Sequence, residues 1–141
     1  MNIYDYLGWG FAGICALASW FFGRADGLLV TLLAFSCVDY CTGTLAAAFS
    51  GTLSSRVGFK GIIKKVIIFA LVGIAHLIDK IFPGQSGMFR EVVIFFYCAN
   101  EGMSILENAD KLGVPFPEQL KKIFAQMREK GEQKEENKKA A

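Results

Sequence analysis

The sequence predicts an all-α integral membrane protein with about four transmembrane helices and one amphipathic cytoplasmic helix. Four apolar stretches lie within the first 106 of its 141 residues. The composition is 53% hydrophobic with 13 phenylalanines, and the mean hydropathy is +0.38, which does not suit a surface that faces water. The stretches also lack the alternation of apolar and polar residues that barrel strands need, so helices are the expected spanning elements.

Each apolar stretch approaches the length of a membrane-crossing helix, since about 20 residues of helix cover a hydrocarbon layer of roughly 30 Å. Together the stretches form a predicted transmembrane domain over residues 1–114. In the fourth, only Val92–Ala99 is uninterrupted, so a re-entrant or interfacial helix beside three full spans stays open there. The four predicted spans are Leu7–Gly23, Gly27–Phe49, Val66–Phe82 and Met88–Leu106.

Spans one and two are predicted to pack as an antiparallel hairpin. Span one contains no charged residue, and only Arg24, Ala25 and Asp26 separate it from span two. A connection this short is expected to leave the two helices side by side in the membrane.

Span two contains a charged residue near its middle. Insertion of an aspartate at a helix centre costs about 2.5 to 3.5 kcal/mol, so Asp39 should be buried against protein or water rather than lipid. The helical face around it is small and polar, which fits either a wall that lines a pore after assembly or a contact with a neighbouring helix. That face comprises Ser36, Asp39, Gly43, Ala47 and Ser50.

A basic stripe lies between spans two and three. Its positive side chains recur every four residues, and its apolar side chains predict a helical segment that lies at the membrane interface. Positively charged loops stay in the cytoplasm, which places this segment on that side. The stripe comprises Arg56, Lys60, Lys64 and Lys65, and either Ser54 or Ser55 is expected to cap its start.

Span three carries Gly73, His76 and Asp79 on one helical face. The spacing of three residues brings the side chains of His76 and Asp79 within reach of each other. One interpretation is a proton relay or a voltage-sensitive pair. The other is structural, with Asp79 and Lys80 extending to the membrane interface at the end of the helix.

Span four and the residues after it present a continuous polar stripe. Such a stripe needs water or polar partners inside a membrane. It is expected either to line a pore or to form ion pairs with Lys64 and Lys65 at the cytoplasmic interface. The stripe comprises Tyr97, Asn100, Glu101, Ser104, Glu107 and Asn108.

Both chain ends are predicted to lie in the cytoplasm. The eight Lys or Arg residues from Asp110 onward favour the same side as the basic stripe, so an even number of crossings should separate stripe and tail. The N-terminus lacks the basic region of a signal peptide, so span one should be retained. Residues 115–131 are predicted to form the amphipathic cytoplasmic helix, and residues 132–141 a disordered charged tail.

Several classes of function have no support in the sequence. Cys15, Cys37, Cys41 and Cys98 lie inside predicted spans without the spacing of metal ligands. The sequence offers no catalytic triad, phosphate-binding loop or HExxH motif, so neither an enzyme nor a bound cofactor or metal is expected. The net charge of +2 is too small to favour nucleic acid.

Short motifs follow one another in a fixed order over about residues 34–120. They are Asp39-Tyr40 with Thr42-Gly43, Ser54-Ser55, Lys60-Gly61 with Lys64-Lys65, Ala75-His76 with Asp79, the run from Glu101 to Asn108, and Gly113-Val114-Pro115. This series resembles the bacteriophage holin family, which also includes the clostridial toxin-secretion holins. Each motif alone is weak, but the ordered series is specific.

The resemblance implies a multi-pass protein that accumulates in the bacterial cytoplasmic membrane of the host and assembles with itself. Its lesions would release endolysin, or a toxin, at a programmed time. The resemblance implies no direct contact with endolysin, allows an antiholin regulator, and assigns catalysis to no residue. The alternative is a small proton-coupled multidrug-type transporter, since four short spans with embedded carboxylates also suit that class.

Overall fold

The chain folds into five helices in a computed structural model that describes residues 2–82, 87–126 and 129. The described residues contain no strand, so the predicted all-α class is confirmed. The helices are α1 (Ile3–Phe22), α2 (Gly27–Phe49), α3 (Ser55–Ile81), α4 (Met88–Lys111) and α5 (residues 118–126). Of these, α2 and α3 are long and apolar enough to cross a membrane, as judged by length and composition.

Side-chain caps and left-handed glycines set the helix ends. Asp26 caps α2 and Ser54 caps α3, each by accepting a hydrogen bond from the backbone N–H three residues on. Of the two predicted caps, Ser54 rather than Ser55 therefore caps α3. Gly51 and Gly113 have φ values of +68° and +72°. They end α2 and α4 with the paired backbone hydrogen bonds of Schellman motifs.

The helices α2, α3 and α4 form a bundle in which α3 runs antiparallel to the other two. Arg90 at the start of α4 binds Asp26 at the start of α2, and Asn108 near the end of α4 binds Asp39 further along α2. Asp79 near the end of α3 binds the start of α4. Apolar side chains fill the space between the helices, with Leu32, Ile68, Val72, Ile94 and Cys98 at the centre.

The predicted hairpin of spans one and two is wrong, because α1 packs against α3 and not against α2. The contact lies at the end of α1, where the Phe21 ring covers Gly73 and leaves no room for a Cβ atom. Residues 2–20 are exposed. The backbone turns at Gly23, whose φ of +78° favours glycine. A short connection therefore joined the helices without making them neighbours.

The basic stripe does not form a separate interfacial segment, because α3 is one helix of 27 residues that includes it. The extension brings the first turns of α3 against α2. A Cβ atom at Gly61 would lie 3.2 Å from the Tyr40 ring, so the absence of a side chain there allows the two helices to approach.

The helix α4 is also continuous, with 24 residues. This corresponds to a length of about 36 Å, enough to cross a bilayer beside α2 and α3. By length and composition together α4 is not among the candidate spans, so a full crossing by this helix stays a prediction.

The helix α5 folds back along α4 rather than standing apart from the bundle. Phe124 lies against Gly102 and forms an edge contact with the Phe35 ring at a centroid distance of 6.0 Å. Leu120 and Ile123, two apolar residues of the predicted amphipathic helix, are exposed. Two predicted parts of the chain lie wholly or partly outside the described residues. They are residues 127, 128, 130 and 131 of the predicted amphipathic helix, and the predicted tail over residues 132–141.

Candidate functional site

Four side chains from α2, α3 and α4 meet in the middle of the bundle. We call Asp39, Lys65, Glu101 and Asn108 the polar core. The Lys65 ammonium group forms ion pairs with both carboxylates. The Asn108 amide donates to Asp39 Oδ1 at 3.1 Å and to the Thr42 hydroxyl at 3.2 Å. Each helix thus contributes one charged group, and all three charges are paired within the subunit.

The polar core is shielded from its surroundings. The Glu101 side chain is fully buried, and those of Lys65 and Asp39 are 14% and 12% exposed. Lys64 lies 3.6 Å from the second oxygen of Glu101 and is 53% exposed, so two ammonium groups balance two carboxylates. A charge inside a bilayer is tolerated when it is paired in this way. Removal of one partner is costly because it leaves an uncompensated buried charge.

The ion pairs expected between Lys64, Lys65 and Glu101 are present. Sequence reasoning missed that Lys65 also binds Asp39. Because Lys65 was assigned to a cytoplasmic loop, Asp39 had no predicted partner of opposite charge. The available signal was the pairing rule itself, since an aspartate in one apolar helix requires a cation from another.

On span three, Asp79 faces α4. Its carboxylate accepts hydrogen bonds from the backbone N–H groups of Phe89 at 3.0 Å and Arg90 at 2.9 Å, so it caps α4 from outside the helix. The residue is buried, and neither interpretation of span three included these hydrogen bonds to α4. His76 instead lies against the backbone at Gly23. Lys80 is exposed as expected and donates to the Trp20 carbonyl at 2.9 Å.

A second polar cluster, the outer clamp, fixes the connection between α1 and α2 to the start of α4. We define it as Arg90, Asp26 and the carbonyl groups of Phe22 and Arg24. The Arg90 guanidinium donates to Asp26 at 2.6 and 3.2 Å, to the Phe22 carbonyl at 2.8 Å and to the Arg24 carbonyl at 2.9 Å. Neither Arg90 nor Asp26 was a predicted site residue, although an arginine at the start of an apolar segment signals a buried partner.

The outer clamp gives an expected acid dependence of stability. The hydrogen bond from Arg90 lowers the pKa of the Asp26 carboxyl below its ordinary value, against the opposing effect of burial. A lowered pKa in the folded state means that the clamp stabilises the fold at neutral pH. This contribution is lost as the pH falls below about 4, through the folded-state pKa.

We therefore expect the Asp26→Asn variant, which keeps a helix cap, to have a lower Tm than the wild type at pH 7. The two Tm values should converge toward pH 3. The measurement is thermal unfolding of the detergent-solubilised proteins across this range. A difference in Tm that is the same at every pH would contradict the role assigned to this ion pair.

The other predicted site residues are distributed along the bundle and do not join the polar core as a single face. Gly43 is the exception, because a Cβ atom there would lie 3.3 Å from the Asn108 amide nitrogen. Among the described residues, no group of three or more His, Cys, Asp or Glu side chains is placed to hold a metal ion. Ser36 and Gly73 are buried, Ala47, Tyr97, Asn100 and Ser104 are half-buried, and Arg56, Lys60 and Glu107 are exposed.

Comparison with known proteins places this bundle in a family. The sequence model of the Bacteriophage holin family matches residues 16–129. This chain belongs to the bacteriophage holin family. The matched region includes the end of α1, the polar core and the outer clamp. Membership of this family and the two helices of membrane-spanning length together support a membrane location for the holin. No solved structure matches the chain.

Curated relatives cover most of this holin. A 14.9 kDa protein encoded in the nagH 3' region of Clostridium perfringens is 41% identical over 92% of this chain and 98% of its own length. A protein of Listeria monocytogenes is 47% identical over 84% of each chain. A probable holin of Bacillus phage phi105 is 35% identical over 61% of this chain and 63% of its own. The similarity therefore includes bacterial and phage proteins.

Proposed function

We propose that this holin accumulates in the bacterial cytoplasmic membrane, assembles with copies of itself and then forms lesions that release endolysin or a toxin. The polar core is the observation that carries this proposal. Its charges lie between helices of membrane-spanning length, where pairing within the subunit allows the protein to accumulate without opening the membrane.

The lesion requires these polar groups to change partners. Separation of α4 from α2 and α3 would break the contacts of Glu101 with Lys65 and of Asn108 with Asp39 and bring these groups into contact with water. One subunit has too few polar groups to hold water in a bilayer, but several subunits together can form a hydrated wall. Assembly thus sets the time of opening, because the rearrangement is favourable only when many copies open together.

We propose four crossings with both chain ends in the cytoplasm. The antiparallel order of α2, α3 and α4 supports three of them, and the 20 residues of α1 have a length of about 30 Å, which suits a fourth. Arg56, Lys60 and Lys64 at the start of α3 mark the cytoplasmic side. The outer clamp then faces away from the cytoplasm.

The proposed partners follow from this arrangement. The subunit contacts lipid and other copies of itself, whereas endolysin passes through the lesion without a specific contact. Charged residues near the cytoplasmic end of α3 and on α5 offer a surface to an antiholin regulator.

Inducible expression in bacteria tests the function. A membrane-potential dye is followed in cells that contain a cytoplasmic muralytic enzyme without an export signal, and in matched cells without the enzyme. We expect abrupt depolarisation in both and lysis only where the enzyme is present. Depolarisation without lysis in either would limit the lesions to small pores. An intact membrane at high expression would contradict the lesion function and favour tests of proton-coupled transport.

A further inference from the structure

An apolar groove lies between α2 and α3, on the side of the bundle away from α4. Its volume is about 590 Å³, and its walls include Leu33 and Cys37 from α2 with Val66 and Phe69 from α3. Ser36 also lines the groove. Its side chain is buried, and its hydroxyl has no hydrogen-bond partner among the described residues. A lipid chain filling the groove would leave this hydroxyl unsatisfied, whereas a protein backbone offers carbonyl acceptors.

The chain also carries a helix that lacks a neighbour over most of its length. Residues 3–20 of α1 are exposed, while Phe21 and Phe22 at its end line one part of the groove. The contact between α1 and α3 of the same subunit is therefore continuous with one end of the groove. A second α1 entering from outside would extend an existing helix contact rather than create an unrelated one.

The positions along α1 and α2 agree with such a contact. All copies share one bilayer, and both helices begin or end at the connection between Phe22 and Gly27. Gly13 lies nine residues before Phe22 and Ser36 nine residues after Gly27, so both lie about 13 Å from that level. Nothing lies within 4 Å of the position of a Gly13 Cβ atom. The bare backbone can therefore approach closely and accept a hydrogen bond from the Ser36 hydroxyl.

We propose that α1 of one subunit docks in the α2–α3 groove of a second copy of this chain. The contact is heterologous, because each subunit offers its helix to one neighbour and its groove to another. Subunits can therefore add one after another. This inference rests on the proposed function in requiring that α1 crosses the membrane.

One introduced and two native cysteines test the contact in the full-length protein. Cys37 and Cys41 on α2 line the groove and are exposed, whereas Cys98 is buried. Cys15 lies about 160° around α1 from Gly13, so it is replaced by serine in every variant. Trp9→Cys, about 40° from Gly13 and close to the membrane level of Cys41, supplies the thiol on α1.

Membranes are treated with copper phenanthroline, or with a bismaleimide, and analysed on non-reducing gels. We expect a ladder of dimers, trimers and larger species. The ladder should be lost both when Trp9 is kept and when Cys37→Ser/Cys41→Ser is added to Trp9→Cys. Coexpression of the two should restore dimers without larger species, because each retains only half of the contact.

Three results would overturn the docking. Dimers in the Trp9→Cys/Cys37→Ser/Cys41→Ser variant would place α1 against α1, because one exposed thiol per subunit cannot give larger species. Dimers in the variant that keeps Trp9 would place α2 against α2. The absence of any crosslink with either reagent would assign the groove to lipid. As a matched pair, Gly13→Leu should reduce the ladder about ten-fold, whereas Gly8→Leu, about 140° around the helix, should leave it unchanged.

Dye measurements on the same cells separate this inference from the proposed function. Depolarisation by the Trp9→Cys variant without any ladder would overturn the docking and leave lesion formation standing. A full ladder in membranes of that variant that keep their potential would support the docking and contradict lesion formation.

Discussion

The Lys65→Met variant should accumulate poorly in the membrane, whereas the neighbouring Lys64→Met variant should accumulate almost normally. Lys65 is mostly buried between Asp39 and Glu101, so its loss leaves two adjacent carboxylates without their shared cation. We expect this change to cost about 3 to 5 kcal/mol. Lys64 is half-exposed, and loss of its ion pair should cost no more than about 1 kcal/mol. The measurements are the amount of protein in the membrane fraction and the Tm in detergent.

Neutralisation of the whole cluster provides the control. A triple variant with Lys65→Met, Asp39→Asn and Glu101→Gln has no buried charge to leave unpaired, so most of the lost Tm should return. Equal effects of Lys64→Met and Lys65→Met would contradict the central position of Lys65. Failure of the triple variant to recover would mean that the methionine disturbs packing rather than charge pairing.

The helices and the existence of a buried polar site could be predicted from the sequence. The apolar part of each helix follows from composition, and helix starts such as those after Asp26 and Ser54 follow from caps that act over three residues. The polar first turns of α3, from Ser55 to Lys65, do not follow from apolar composition. That Asp39 needs a polar partner follows from the cost of a charge in lipid. Each of these conclusions depends on the residues of one segment and on whether lipid surrounds that segment, and both can be judged from the sequence.

The partners of these groups could not be predicted, because they depend on how the helices are arranged. Asp79 caps a helix that begins nine residues later, and Arg90 reaches a connection more than sixty residues earlier. The position of α1 depended on the backbone direction at Gly23, which connection length does not determine. Lys65 was assigned to an interfacial segment, whereas it lies inside α3. The reason is that lysines next to a span form the same sequence pattern in a continuous helix and in an interfacial segment.

A disulfide between α2 and α4 should block lesion formation by holding the polar core closed. Gly43 and Asn108 are suitable positions, since a Cβ atom at Gly43 would lie 3.9 Å from Asn108 Cγ, close enough for side-chain rotation to form the bond. We expect the oxidised Gly43→Cys/Asn108→Cys variant to assemble but to remain impermeable. The single variants serve as controls for loss of the Asn108 hydrogen bonds, and Cys15, Cys37 and Cys41 are replaced by serine throughout.

Release of a fluorescent dye from liposomes that contain this double variant tests most directly whether the polar core must open. Before reduction, with disulfide formation checked by loss of maleimide labelling, the liposomes should retain the dye. Reduction should then release it at the rate seen with the single variants. Release from fully oxidised protein at that same rate would contradict the account, because lesions would then form while α2 and α4 are held together around their paired charges.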